Sequence, residues 1–332
     1  MVLLSILSIP FIAAIILLFV KHNEKANYIA IASTGITLAL ALNIAFNGAA
    51  NFDASWISSI NARFVLTADG LSKILLLLTG ISFPAIFIAP SKNEIKNRAQ
   101  FLSLMLFTQT GLLGVFLAGD ALLFYFFWEL ALIPVYFLCS IWGGEKRIAV
   151  TFKFFIYTFL GSLFMLIGII LVYTHTADQS FAIQSFKEAS LSGGQQLTAF
   201  ALFFTAFAIK MPIFPLHTWQ PDAYEQSPTA VTMVLSAVMV KMGLYGVMRW
   251  LMPLFPNAFS AHSNFVVILS VIGILYASFI AIRQDDMKRL IAYSSIAHIG
   301  LMSAALFANN EIGAQGVLIQ LFSHGVNVLG LW

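Results

Sequence analysis

The stretch LTAFALFFTAFAIKMPIFPLHTW at residues 197–219 contains an apolar run that stops at a lysine and two prolines. The run before Lys210 would form roughly 20 Å of helix, less than the hydrocarbon core of a bilayer. Pro212 and Pro215 then break the helix, because proline lacks an amide donor and its ring clashes with the preceding turn. A helix broken at membrane depth is tolerated only where its freed backbone groups face protein or water, and such helices often mark transport sites.

The rest of the chain is equally apolar. Of its 332 residues, 60% are hydrophobic and only 9% are charged, against about 25% charged in soluble domains. Its single cysteine, Cys139, excludes an intrachain disulfide and a cysteine-based metal site. The composition predicts an all-α polytopic membrane protein of about eleven transmembrane helices, the seventh of them broken. The apolar runs lie at 2–20, 28–46, 71–89, 100–118, 121–141, 149–173, 197–210, 229–250, 264–282, 288–307 and 312–332.

Basic residues are divided unevenly between the two sides that these runs define. Because cytoplasmic loops carry the excess of lysine and arginine, the division predicts a multi-pass protein with its N-terminus outside. The larger group is Lys21, Lys25, Lys92, Lys96, Arg98, Lys146, Arg147, Arg283, Lys288 and Arg289, and the smaller is Arg63, Lys73, Lys187 and Arg249. The two longer outside loops, 47–70 and 174–196, lack metal-binding or phosphate-binding patterns and are interpreted as structural.

Three charged residues, Glu129, Lys210 and Lys241, lie deep inside apolar runs. A charge at the centre of a bilayer costs roughly 3 kcal/mol on insertion scales, so it is kept only if it is paired or faces a polar cavity. Pro134 should bend the helix beside Glu129. Lys210 is the expected partner, at the helix end whose dipole favours a cation. A proton could then leave the lysine when the carboxylate moves away.

His298 and His324 lie in the middle of later runs and could continue a proton relay from Lys241, because histidine titrates near neutral pH. Simpler interpretations stay open, namely a protonated glutamate, lysines that reach the interface or the backbone, and histidines in interhelical hydrogen bonds. Lys153 is interpreted as an interfacial anchor, and residues 283–289 as a solvated turn. His217 and Asp222 could form a wet entrance at the break, or be ordinary loop residues.

Several motifs around these residues resemble the antiporter-like subunit M family of proton-translocating NADH:quinone oxidoreductase (complex I). The lysine motifs also occur in cation/proton antiporter subunits, whereas the second and third stretches below point to subunit M. The motifs are FWELALIP (127–134), IWGGEKR (141–147), KFFIYT (153–158), KMP (210–212), PLHTW (215–219), KMGLYG (241–246) and DMKRLIAYSSIAHIG (286–300).

The resemblance implies a fold of fourteen helices containing two inverted five-helix repeats. Here the first repeat would be complete and the second partial, so the chain divides into 1–118 (helices one to four), 119–250 (helices five to eight) and 251–332 (truncated second repeat). The last run ends at Trp332 without a polar flank, which predicts a fragment of a longer protein. A residue of broken helix twelve, the family's final relay group, would lie beyond this sequence.

By the same resemblance, protons pass from Glu129 and Lys210 to Lys241, with His298 and His324 at matching positions. Tyr224 stands where many relatives have a histidine. The expected protein is a non-redox subunit of a translocating oxidoreductase in a bacterial-type inner membrane. NADH, FMN, iron–sulfur clusters and quinone would belong to other subunits. Its partners would be other membrane-arm subunits, lipid and protons, with no nucleic acid. The alternatives are a subunit of a multi-subunit sodium/proton antiporter and a non-conducting structural fragment.

Overall fold

The computed structural model describes residues 1–89 and 95–332, so Lys92, one of the predicted cytoplasmic cations, lies outside the described residues. Ten helices in these ranges are long and apolar enough to cross a membrane. With the shorter α8 they account for the eleven predicted segments, and the all-α polytopic fold is confirmed. The helices are α1 (Val2–Phe19), α2 (Asn23–Asn47), α3 (Gly70–Ile88), α4 (Arg98–Leu117), α5 (Ala121–Trp142), α6 (Arg147–Tyr173), α7 (Ile183–Lys187), α8 (Gly193–Lys210), α9 (Trp219–Gln226), α10 (Thr229–Leu254), α11 (Pro256–Ile282), α12 (Met287–Phe307) and α13 (Glu311–Leu331).

The predicted break is present, and it separates α8 from α9. Helix α8 ends at Lys210, and α9 begins again at Trp219. The indole Nε1 of Trp219 donates to the carbonyl oxygen of Ile209 at 3.0 Å. Because this bond satisfies a carbonyl in the last turn of α8, the two halves stay attached across the break.

Helix α11 begins earlier than its apolar run at 264–282 suggests. Pro256 occupies the first turn, where a missing amide donor costs nothing. The polar residues that follow are satisfied within the helix: His262 Nδ1 lies 2.9 Å from the carbonyl of Ala258, and Ser263 donates to that of Phe259. Hydropathy alone therefore places the start of this helix too late.

The 47–70 loop contains a β-hairpin that the sequence analysis did not predict. Strand β1 (Phe52–Ile57) pairs antiparallel with β2 (Ala62–Leu66). Asp120, the N-cap of α5, accepts hydrogen bonds from the amides of Leu122, Leu123 and Arg63, which fastens the hairpin to the start of α5. Burial of Asp120 raises the pKa of its carboxyl group, although these three amides oppose the shift.

Helix α10 forms the centre of the molecule, with 94% of its most apolar stretch buried. It contains two π-helical segments, Leu235–Met239 and Val247–Leu251, on either side of Lys241. A methyl group added at Gly243 would lie 2.7 Å from the carbonyl oxygen of Phe207. Only a glycine allows this close approach, which packs α10 against the end of α8.

Candidate functional site

Glu129 and Lys210 face each other between α5 and the end of α8. The two charges are close enough to interact electrostatically. Within residues 1–89 and 95–332, however, Lys210 forms no ion pair within 4.0 Å, and the expected direct contact with Glu129 is not formed. Ser162 of α6 also lies beside the carboxylate. The two side chains therefore lie near each other without forming a direct ion pair.

Trp128 is the side chain that supports the Lys210 amine. Lys210 is 1% exposed, and its Nζ lies 5.7 Å from the centre of the Trp128 ring, a cation–π distance. Neither Lys210 Nζ nor Glu129 Oε1 has a hydrogen-bond partner among the described residues. Because buried polar groups normally have partners, often ordered water, this end of the site is under-satisfied by protein alone.

The amine of Lys241, unlike that of Lys210, has hydrogen-bond partners in the protein. Its Nζ donates to the carbonyl of Ser236 at 2.5 Å and lies 2.9 Å from Nδ1 of His324 on α13. Ser236 belongs to the π-helical segment before Lys241, and such segments are frequent at functional sites. Since α10 is buried all round, the amine cannot reach the membrane surface. The structure thus brings Lys241 and His324 into contact.

His324 also connects to the other predicted histidine. Its Nε2 lies 3.4 Å from the hydroxyl of Ser295, and its ring centre lies 5.4 Å from that of His298. Helix α13 approaches closely because residue 325 is glycine: an added methyl group would lie 3.0 Å from the carbonyl oxygen of Ala237 and 2.7 Å from Leu78. Lys241, His324 and His298 therefore form a continuous row from α10 to α12.

A cavity of about 350 Å³ lies beside this row. His298 and His324 line it together with the polar side chains of Ser294, Gln320 and Asn327. Gln320 and Asn327 sit in α13 at the spacing of one helical face. That spacing was the available signal for a polar surface on this helix.

Further buried polar groups lie in α9 and in the break before it, and the sequence singled out all of them except Gln220. The side-chain atoms of Gln220, the hydroxyl of Tyr224 and Nδ1 of His217 have no hydrogen-bond partners in the described part of the chain. Gln220 and Tyr224 are fully buried and stand four positions apart, on one face. His217, in the break before α9, is buried as well.

The charged residues near the break form a cluster. Asp222 contacts Lys153 of α6 at 2.8 Å and Arg289 of α12 at 3.2 Å, and Glu225 contacts Arg289 at 2.7 Å. Arg289 was predicted to belong to a solvated turn, and this was wrong. It lies in the first turn of α12 and reaches both carboxylates of α9, because the break returns α9 to that surface.

No group of three or more histidine, cysteine, aspartate or glutamate side chains that could hold a metal occurs in residues 1–89 and 95–332. The helical bundle instead holds two polar groups, Glu129 near Lys210 and the row formed by Lys241, His324 and His298. Groups of this kind bind and release protons without a bound ion.

Comparison with known proteins places this fold and these residues in a family. Residues 118–332 match the family described as NADH:quinone oxidoreductase/Mrp antiporter, transmembrane. The chain belongs to this family of membrane proteins. The matched region contains all five predicted relay residues.

Among its relatives are two proteins named NADH-quinone oxidoreductase subunit M. The chain is 37% identical to the one from Rhodobacter capsulatus over 97% of its own length, and 38% identical to that of Escherichia coli over 92%. It spans 67% and 64% of those proteins. The fold of a chain in respiratory complex I from Thermus thermophilus with bound NADH matches it with a TM-score of 0.90 at 28% identity, over 100% of this chain and 70% of that one. The predicted likeness to antiporter-like subunit M is confirmed.

Proposed function

We propose that this chain is a proton-translocating membrane-arm subunit of a respiratory NADH:quinone oxidoreductase, and that Glu129, Lys210, Lys241, His324 and His298 carry the protons. Its family and its relatives named subunit M support the assignment to that complex. The observation that carries the relay is the 2.9 Å contact between Lys241 Nζ and His324 Nδ1 in the buried centre of the bundle.

That contact is suited to proton transfer. If both side chains were charged, two positive groups would lie at hydrogen-bond distance with little solvent to screen them. The pair therefore holds one proton between two basic nitrogens, and their titration is shared. His324 then offers its second nitrogen toward Ser295 and the cavity, which gives the proton a direction of exit.

The Glu129–Lys210 end would serve as the control element. Because Lys210 has only a cation–π contact and the nearby carboxylate, its hold on a proton depends on where Glu129 lies. A shift of the carboxylate, driven by electron transfer in other subunits, would release the proton toward Lys241. Water bound at the unpartnered atoms of Glu129 and Lys210 would connect these two side chains.

The decisive experiment substitutes Glu129 and Lys210, one at a time, in the assembled complex. Lys210→Ala and Glu129→Ala should each lower the number of protons moved per electron, while flavin and iron–sulfur content stay at wild-type levels. Lys187→Ala is the control, since Lys187 is an exposed lysine of the short helix α7. An unchanged proton-to-electron ratio in both variants would defeat the assignment.

A second candidate is a subunit of a multi-subunit sodium/proton antiporter, because the matching family covers both classes. The genes beside this one discriminate between them: quinone-reductase subunits favour the first proposal, and small antiporter subunits favour the second. A non-conducting structural role predicts that Lys210→Ala and Glu129→Ala leave proton transport in the assembled complex unaltered.

Assignment to this complex also implies where the chain lies and which groups it lacks. The chain would lie in a bacterial-type inner membrane with its N-terminus outside, since the uneven loop charges put the larger basic group in the cytoplasm. NADH, FMN, iron–sulfur clusters and quinone would bind other subunits. This chain would contribute no redox centre, and its contacts would be with neighbouring membrane-arm subunits and lipid.

A further inference from the structure

Helix α9 is a short helix near the relay, and charged side chains of two other helices contact it. It has eight residues, and it lies between the break at 211–218 and Pro228. Asp222 and Glu225 stand three positions apart and so share one face. Oppositely charged side chains from two other helices meet that face.

The contacts join α9 to both sides of the bundle. From α6, Lys153 Nζ reaches Asp222 Oδ2 at 2.8 Å and the carbonyl of Thr218 at 2.9 Å. From α12, Arg289 Nη1 reaches Asp222 Oδ1 at 3.2 Å and Glu225 Oε2 at 2.7 Å. Asp222 therefore receives a cation from each helix, and Arg289 binds two carboxylates.

We propose that Lys153, Asp222, Glu225 and Arg289 form a brace, here named the α9 brace, that holds the end of α8 in the position from which Lys210 transfers its proton. The proposal rests on the proposed function and adds positioning residues to it. None of the four belongs to the relay itself.

Two connections carry the effect of the brace to the relay. Trp219, the first residue of α9, donates to the carbonyl of Ile209, the neighbour of Lys210, so a displaced α9 pulls on the last turn of α8. Helix α12, which supplies Arg289, also carries Ser295 and His298. The brace thus fixes the Lys210 end relative to the histidine end.

The four residues of the α9 brace share their contacts. The four side chains are each about a third exposed, and an isolated pair of this kind contributes little. Arg289, however, takes part in two of the three ion pairs. Its loss therefore removes both ion pairs between α9 and α12. Side chains in such a network show coupled rather than additive effects.

The test compares Arg289→Gln with Arg289→Lys in the intact complex. Arg289→Gln should lower the proton-to-electron ratio toward that of Lys210→Ala, and Arg289→Lys, which keeps the charge, should restore most of it. Glu225→Gln combined with Arg289→Gln should be no worse than Arg289→Gln alone. The matched control is Arg283→Gln, which removes an exposed arginine just before α12.

A second readout follows the position of α9 without measuring transport. Cys139 is the sole cysteine of the sequence, and its buried Sγ lies 3.2 Å from the hydroxyl of Ser227, at the end of α9. Its labelling by a membrane-permeant maleimide, resolved by mass spectrometry of this chain, should rise about fivefold in Arg289→Gln, since exposure of a buried thiol tracks local opening.

The outcomes separate the brace from the function. Increased labelling with a reduced ratio, both reversed in Arg289→Lys, supports the proposal. Unchanged labelling overturns it, and so does increased labelling with an unchanged ratio. If Lys210→Ala has no effect on the ratio, the proposed function fails, while Cys139 labelling still decides whether Arg289 holds α9.

Discussion

The two buried lysines lie in opposite surroundings. Lys210 ends a helix beside a break, rests on the face of Trp128 and has no hydrogen-bond partner among the described residues. Lys241 lies in the middle of the most buried helix, with both a carbonyl and an imidazole in contact. In the proposed relay this difference would divide the work: the protonation of Lys210 would change with its neighbours, whereas Lys241 would pass on the proton that it receives.

The largest effect is expected at Lys241. Lys241→Met keeps the length of the side chain but removes the amine, so His324 loses its proton donor. Proton translocation through this chain should fall by about a hundredfold, the lower end of the range for an acid–base group. The unfolding temperature should stay the same or rise, because a buried amine is costly to a folded protein.

Measurement of both quantities separates the functional role of Lys241 from a structural one. Proton uptake by vesicles and thermal unfolding of the purified complex should move independently. A variant with normal translocation would show that Lys241 only packs α10, and would remove the contrast with Lys210. A parallel loss of stability and transport would leave Lys241 as a packing residue too.

The sequence predicts the surroundings of Lys210 but not those of Lys241. Pro212 and Pro215 predict the break, and therefore the position of Lys210 at a helix end. Nothing in the local pattern predicts that Lys241 touches His324, because that contact depends on how α10 and α13 turn toward each other. The π-helical segments and the small size of Gly325 set that geometry, and neither has a reliable sequence signal.

Arg289 and Asp120 illustrate the same limit. Charge patterning assigns Arg289 to a loop, yet its partners come from α9, which reaches it only after the chain has reversed. Asp120 has the residue type of an N-cap, but its third hydrogen bond comes from a hairpin that the sequence did not predict. Long-range contacts of this kind appear only once the helices are packed.

A smaller effect tests the close approach of α13. Gly325→Ala places a methyl group 3.0 Å from the carbonyl of Ala237, so α13 must move by a few tenths of an ångström. The Lys241–His324 distance should lengthen and translocation should fall about twofold, a fraction of what a lost acid–base group costs. Gly330→Ala is the matched control, because nothing lies within 4 Å of a methyl group at that position of the same helix. Equal rates in the two variants would contradict the role of Gly325.

The smallest effect should come from Asp120, which shares α5 with Glu129 but contacts only backbone amides. Asp120→Asn removes the charge and the hydrogen bond from the amide of Arg63, so the change in unfolding free energy at neutral pH should be about 1 kcal/mol or less.

Burial raises the pKa of Asp120 in the folded protein, so its charged form opposes folding at neutral pH. That cost disappears as the pH falls through the folded pKa. Wild type should therefore gain stability relative to Asp120→Asn on acidification, as followed by thermal unfolding between neutral and mildly acidic pH. The proton-to-electron ratio should not change. A fall in this ratio as large as that expected for Glu129→Ala would show that any buried carboxylate at α5 affects translocation. The distinction between a relay acid and a helix cap would then fail.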